Sequence, residues 1–387
     1  MNQGRALFFG GVTAAILSTI VSGNAFAQTI KIGVNEPLTG PFAASGTYVV
    51  NGAKIAADEI NAKGGLLGAK VELVIEDNKS NPTEAAAVAE KLITEDKVPV
   101  MMGAWGSSLT LAVMPKLMQY KIPMVVETSS SSKITTSGNP YIFRISPPSS
   151  VEANEFRSIA PKIGIKKADF LVINNDWGRG SADDFGKVMK SMGIQVGLVE
   201  IMDQAAQDMT AQLAKIKATD SDTIMVTTAV EQLTLVLKQA AALGITKKIV
   251  TTGGSQNPDQ LIAQAGAAAN GSMHLTTFAP WYPDKTPDPK ATEYFLGEWK
   301  KHGFSFAGAT ESFRGYDGIR TIAHAIQAAG KAEPEAITQA LWKTDFIGLN
   351  GPIKFQKQGP AGRESGQSMP NLYLIKIEGG KVVLAES

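Results

Sequence analysis

The chain of 387 residues contains no cysteine, which excludes disulfides, thiolate metal sites, thiol nucleophiles and cysteine-ligated clusters. Its three histidines, His274, His302 and His324, are too scattered for any metal-ligand spacing. No HExxH, P-loop or GxSxG pattern occurs, and Gly178-Arg179-Gly180 lacks the third glycine of a dinucleotide fingerprint. Serine hydrolysis would need a base beside Ser107, and no loop histidine offers one. An enzyme, a metal and a cofactor are therefore not expected. A charge excess is also lacking. The chain carries 37 basic and 36 acidic residues, and loss of Arg5 with an N-terminal leader would leave 36 of each. Such a balance gives no electrostatic case for nucleic-acid or membrane-surface partners. Beyond the N-terminus no apolar run approaches membrane length.

The N-terminus carries the first positive signal. Met1–Gly4 has no acid, Arg5 is the only charge before Lys31, and Ala6–Val21 is mostly apolar. Asn24-Ala25-Phe26-Ala27 then places small residues at −3 and −1 of a cut before Gln28. Residues 1–27 read as a secretory signal peptide. The rival reading, a membrane anchor, would want a longer apolar span. Export to the periplasm is expected.

A mature chain of this length exceeds one typical domain core. From Ile30 it alternates short apolar strands with helical patterns. Ser146-Pro147-Pro148-Ser149-Ser150 interrupts the series, and a second βαβ series begins at Ala168. The reading is α/β, with two doubly wound parallel-sheet lobes. Further crossings between lobes are expected near Thr276–Asp288 and in the Gly/Pro-rich segment Phe346–Pro360. Residues 28–146 plus 278–350 would form the first lobe, and 147–277 plus 351–387 the second. Asn371–Ile377 and Lys381–Leu384 should pair as a terminal hairpin.

The stretch Val98–Ser132 organises the functional reading. A short strand leads into the turn Gly103-Ala104-Trp105-Gly106-Ser107-Ser108 and a helix. A second strand then runs into the polar loop Glu127–Ser132. Both loops leave the carboxyl ends of neighbouring strands, where open α/β sheets bind ligands. Gly103 and Gly106 allow close backbone approach, and Ser107 and Ser108 stand where free helix amides suit a small anion such as a carboxylate. The competing reading is that these serines only cap the helix.

The order and spacing of IKIGVNEPLTGPFAASG, NAKGGLLGAKVELVIEDNKSNP, GAWGSS, VINNDWGRG and FRGYDGI resemble the leucine/isoleucine/valine-binding proteins of bacterial ABC importers, type I periplasmic binding proteins with three interlobe crossings. The likeness runs from about residue 29 to the end. It implies ligand capture between lobes, hinge closure and delivery to an ABC permease with ATPase subunits, by a monomer. It also implies that Ser107 or Ser108, with Thr128, Ser129 and Ser130, holds a carboxylate. Trp177 would cover the ligand and Ser45 would face the cleft. Trp105 and Gly106 lie in the serine turn itself, where Trp105 could stack on the ligand or wall its pocket.

One departure stands out. The acid that in this family receives the ligand's ammonium follows the strand that here is Lys248–Thr252, yet Thr252-Gly253-Gly254-Ser255-Gln256 holds no carboxylate. Gly254 and Gln256 are retained as candidate contacts from that loop. The other acidic position, near Ser149-Ser150, also lacks one. Asp176, Glu231 or Glu127 could substitute. Alternatively the ligand is an aromatic or oxo acid without an ammonium, for which Trp105 and Trp177 would suit a flat guest. A soluble ligand sensor of the same fold is the remaining class. Arg314 is expected in a surface salt bridge, though it could reach the cleft; Asp77 and Asp317 are expected to be structural.

Overall fold

The computed structural model describes residues 29–385 together with Met1 and Gly4, so apart from those two the leader lies outside the described residues. The first α/β series runs β1 (Thr29–Glu36), α1 (Ala43–Ala62), β2 (Lys70–Asp77), α2 (Pro82–Thr94), β3 (Met101–Gly103), α3 (Ser107–Tyr120), β4 (Met124–Val126), α4 (Lys133–Thr136) and β5 (Ile142–Arg144). After Ser146-Pro147-Pro148 the second series begins: α5 (Ser149–Ile163), β6 (Lys167–Ile173), α6 (Asp176–Ser191), β7 (Gln195–Met202), α7 (Thr210–Lys217), β8 (Thr223–Thr227), α8 (Val230–Ala242), β9 (Lys248–Thr251), α9 (Pro258–Ala265) and β10 (Met273–Thr276). The chain then returns to the first lobe with α10 (Pro289–Lys301), α11 (Ala309–Ala329), α12 (Pro334–Leu341), β11 (Asp345–Gly348), β12 (Gly351–Lys354), β13 (Gln356–Gln358) and β14 (Ser365–Gln367). It ends in the second lobe with β15 (Tyr373–Glu378) and β16 (Lys381–Leu384).

The first sheet has the order β13-β14-β5-β4-β3-β1-β2 and the second β16-β15-β10-β9-β8-β6-β7. Both are parallel except at the late-arriving edge, where β13 runs against β14 and β15 against both β10 and β16. This two-lobed α/β architecture matches the expected fold class. The third crossing differs from the sequence reading. The Gly/Pro-rich segment that suggested it folds instead as the β11–β12 hairpin, and β14 pairs in parallel with β5. The chain therefore leaves the first lobe after Gln367, not at residue 350, because glycine and proline there turn strands rather than link lobes.

Local signals explain the helix ends. Asn81 caps α2 by accepting from Thr83 N at 2.8 Å and Glu84 N at 3.2 Å, with Pro82 in the first turn. Asp288 does the same for α10, accepting from Ala291 N at 3.0 Å ahead of Pro289. Helices α1 and α11 cross at glycines: a Cβ on Gly52 would sit 1.8 Å from Ser312 O, and one on Gly315 would sit 1.9 Å from Val49 O. That contact is what seats α11, with Glu311 and Arg314, against the cleft. Apolar residues of α2 and α3 cover one face of the first sheet, and Phe156, Phe185 and Met189 of α5 and α6 one face of the second. Among the described residues no helix is long and apolar enough to cross a membrane.

Candidate functional site

Four loops leave the carboxyl ends of β3, β4, β6 and β9 and converge between the lobes, as expected for open parallel sheets. Between them lies a narrow cavity of about 10 Å³, room for little more than a water in this closed form. Trp105, Ser107, Thr128, Ser129 and Ser130 line it from the first lobe, and Trp177, Gly253 and Ser255 from the second. The sequence reading had named six of these eight side chains; it missed Gly253 and Ser255.

Gly106 holds the N-cap position of α3 in an extended conformation, and no side chain caps the helix. The first α3 amides therefore stand free at the positive end of the helix dipole. The serines do not act as caps. Ser107 Oγ accepts from Ser131 N at 3.1 Å and so binds the second loop to the first. Ser129 Oγ donates to Ala104 O at 2.6 Å and lies 2.7 Å from Thr110 Oγ1. Thr128 lines the cavity, and its buried Oγ1 has no hydrogen-bond partner among the described residues. Behind this loop the fully buried Arg144 donates to Ser129 O at 3.0 Å, Ser131 O at 2.8 Å, Thr135 Oγ1 at 2.9 Å and Gln367 Oε1 at 2.6 Å. Sequence reasoning gave Arg144 no role; a lone arginine at a strand end carries no sign of what it will meet in a loop fifteen residues earlier.

The lobes are shut on each other. Ser108 Oγ donates to Asp176 Oδ2 at 2.8 Å and accepts from Asp176 N at 3.0 Å, while Lys133 Nζ lies 3.3 Å from Asp176 Oδ1. Ser108 and Asp176 thus form a latch rather than contacts in the cavity wall. Arg314 is 3% exposed, not a surface residue; it reaches from α11 to Gly254 O at 2.9 Å and Ser255 Oγ at 3.1 Å and pairs with Glu311 at 2.6 Å. Trp105 and Trp177 meet edge to face, centroids 5.6 Å apart, and Phe42 packs on Trp105 at 4.8 Å. The Trp177 ring lies so close over Gly253 that a Cβ there would fall 2.6 Å from it.

The other named residues do not line the cavity. Ser45 donates to Glu311 Oε1 at 3.4 Å, and Gly254 offers its carbonyl to Arg314. Gln256 turns back to Thr252 O at 2.6 Å and does not line the cavity. Glu231 is half-buried near Glu311; burial pushes its carboxyl up to about 7. Glu127 is fully buried beside Glu36, and among the described residues neither carboxyl has a hydrogen-bond partner of normal geometry. Burial, then the charge of Glu127, raises the Glu36 carboxyl well above its ordinary range. Asp317 takes Arg320 and Leu349 N, and Asp77 takes Leu38 N, Thr39 and Lys79 N; both are structural. Among the described residues no group of three His, Asp or Glu side chains could hold a metal ion.

Known proteins share this fold. A family model described as "Periplasmic binding protein" matches residues 29–381. The leucine-, isoleucine-, valine-, threonine- and alanine-binding protein of Pseudomonas aeruginosa is 28% identical over 93% of this chain and 94% of its own. The branched-chain amino acid transporter substrate-binding protein LivJ of Streptococcus pneumoniae, solved with isoleucine, superposes with a TM-score of 0.79 at 27% identity, covering 92% of this chain and 100% of its own. A solute-binding protein of an ABC transporter from Rhodopseudomonas palustris, solved with 3,4-dihydroxybenzoic acid, superposes with a TM-score of 0.79 at 26% identity, covering 92% of this chain and 95% of its own. These relatives are substrate-binding proteins rather than enzymes. With the family model spanning both lobes and the four loops between them, the chain belongs to the periplasmic binding protein family.

Proposed function

We propose that this protein is the periplasmic solute-binding component of an ABC importer, closing on an amino acid or related small carboxylate and presenting it to a membrane permease. The observation that carries this reading is the uncapped N-terminus of α3 beside the unpartnered Thr128 hydroxyl, in a cavity walled by both lobes. Amides at a helix start and a free hydroxyl hold a carboxylate without a full opposing charge. Cross-lobe contacts at Asp176 and Arg314 close the clamp, and a ligand bridging the lobes would shift the population toward that closed form.

A second reading, an aromatic acid without an ammonium, draws on the Phe42–Trp105–Trp177 cluster and on the dihydroxybenzoate-bound relative. A thermal-shift screen of amino acids, oxo acids and benzoates tests both. A specific ligand raises the melting temperature with the logarithm of its concentration over Kd. A rise confined to amino acids supports the first reading and a rise confined to benzoates the second. No rise with any carboxylate overturns both.

A further inference from the structure

The cleft holds more buried acid than base. Glu36, Glu127, Glu152 and Glu311 are each no more than 3% exposed, and Glu231 is half-buried beside them. Arg314 is the guanidinium facing this group, and it is bound to Glu311. Arg144, also buried, serves carbonyls and Gln367 behind the Ser129–Ser131 loop. Glu36 and Glu127 press on each other, and burial with the Glu127 charge pushes the Glu36 carboxyl well up.

Glu152 lies in the first turn of α5, and its Oε1 accepts from Gly253 N at 2.7 Å. No other hydrogen bond and no salt bridge to its carboxyl is found among the described residues, although the side chain is 3% exposed. Two anchors set it directly behind residues of the cavity wall. Gly253 is a wall residue under the Trp177 ring, and Ser149 N, one turn before Glu152, donates to Ser130 O at 2.7 Å. Glu152 thus sits where the loop below Trp177 meets the loop of the carboxylate site. A side chain on Gly253 itself would collide with Trp177, so the loop after β9 cannot present an acid from that position. Helix α5 brings one directly against that loop.

We infer that the ligand carries an ammonium beside its carboxylate and that Glu152 receives it, making this residue the one that selects amino acids over acids lacking an amino group. This rests on the carboxylate-capture reading. A buried carboxylate without a cation is costly, and an ammonium brought by the ligand removes that cost while gaining a charge-assisted hydrogen bond. Burial alone holds the empty Glu152 carboxyl up near 7, against the pull of the Gly253 amide and Arg314, in keeping with a group that lacks its partner. The Trp177 ring, which lies over Gly253, is compatible with a cation there.

The test is calorimetric titration of the purified protein with paired probes: L-leucine against 4-methylpentanoate, L-phenylalanine against 3-phenylpropanoate, and 4-hydroxybenzoate alone. The expected result is a preference of roughly 10–100-fold for the amino member of the pair that binds. Glu152→Gln should bring the two affinities of that pair together, and Glu152→Asp should narrow the gap in part. Circular dichroism confirms folding; should Glu152→Gln not fold, the wild-type ratio and Glu152→Asp decide. Equal or tighter binding of the acid without the amino group, or a preference that persists in folded Glu152→Gln, overturns the inference and leaves carboxylate capture standing. Failure of every probe overturns both.

Discussion

Glu152→Gln should change how the ligand-free protein responds to pH. In the closed form the Glu152 carboxyl is held near 7 by burial, whereas an exposed glutamate ionises near 4.5. Below about pH 4.5 both states are protonated and Glu152 has no effect. Between 4.5 and 7 the unfolded chain loses its proton while the closed form keeps it, so stability falls as pH rises. Above 7 both are ionised and the full cost remains, corresponding to about 3 kcal/mol. Glutamine keeps the oxygen that accepts from Gly253 N and carries no charge to bury. The variant should therefore match the wild type near pH 4.5 and be more stable at pH 8 by up to about 3 kcal/mol. Chemical denaturation of both proteins without ligand, at pH 4.5, 6 and 8, measures this difference; the slope from the other buried acids is common to both and cancels. If the cleft opens before the lobes unfold, part of the cost appears as a larger radius of gyration at pH 8 in small-angle scattering, in the wild type alone. A difference between the two proteins that does not change with pH would refute the assignment of Glu152 as a buried, unpaired acid.

Thr128→Val keeps the shape of the side chain and removes the unpartnered hydroxyl; carboxylate affinity by calorimetry should fall by about 1–2 kcal/mol with little change in melting temperature. Trp177→Ala strips the second lobe's wall from the cavity and should weaken binding by about 2–4 kcal/mol, with loss of the ligand-induced fluorescence change. Arg144→Met removes the donors that fix the Ser129 and Ser131 carbonyls and should cost about 3 kcal/mol of stability in denaturant, along with affinity. Asp176→Asn weakens the bond from Ser108 and the pair with Lys133; scattering should show a more open ligand-free protein, with affinity reduced about fivefold.

The fold was legible because its signals are local. Period-2 and period-3.6 patterns, Asn81-Pro82 and Asp288-Pro289 at helix starts, and the Pro147-Pro148 break each act over a few residues. The third crossing was misplaced because a Gly/Pro-rich segment looks the same whether it links lobes or turns a hairpin. In the site, the serine turn was picked out from its loop and Trp177 from the family resemblance, and both line the cavity. Glu152 and Arg314 could not, since their roles arise from burial against loops about 100 and 60 residues away in sequence. Glu152 was overlooked in particular because it stands two residues past Ser150, inside a helix whose pattern reads as ordinary amphipathic surface. Ser108 was read as a carboxylate donor because nothing in the sequence shows that Asp176 comes to meet it.

A crystal structure of the protein with the tightest-binding amino acid tests the central claim most directly. The predicted result is a ligand enclosed between the lobes, its carboxylate about 3 Å from the α3 amides and the Thr128 hydroxyl and its ammonium on Glu152. A ligand seated outside the interlobe cavity, or one that leaves the α3 N-terminus untouched, would contradict it.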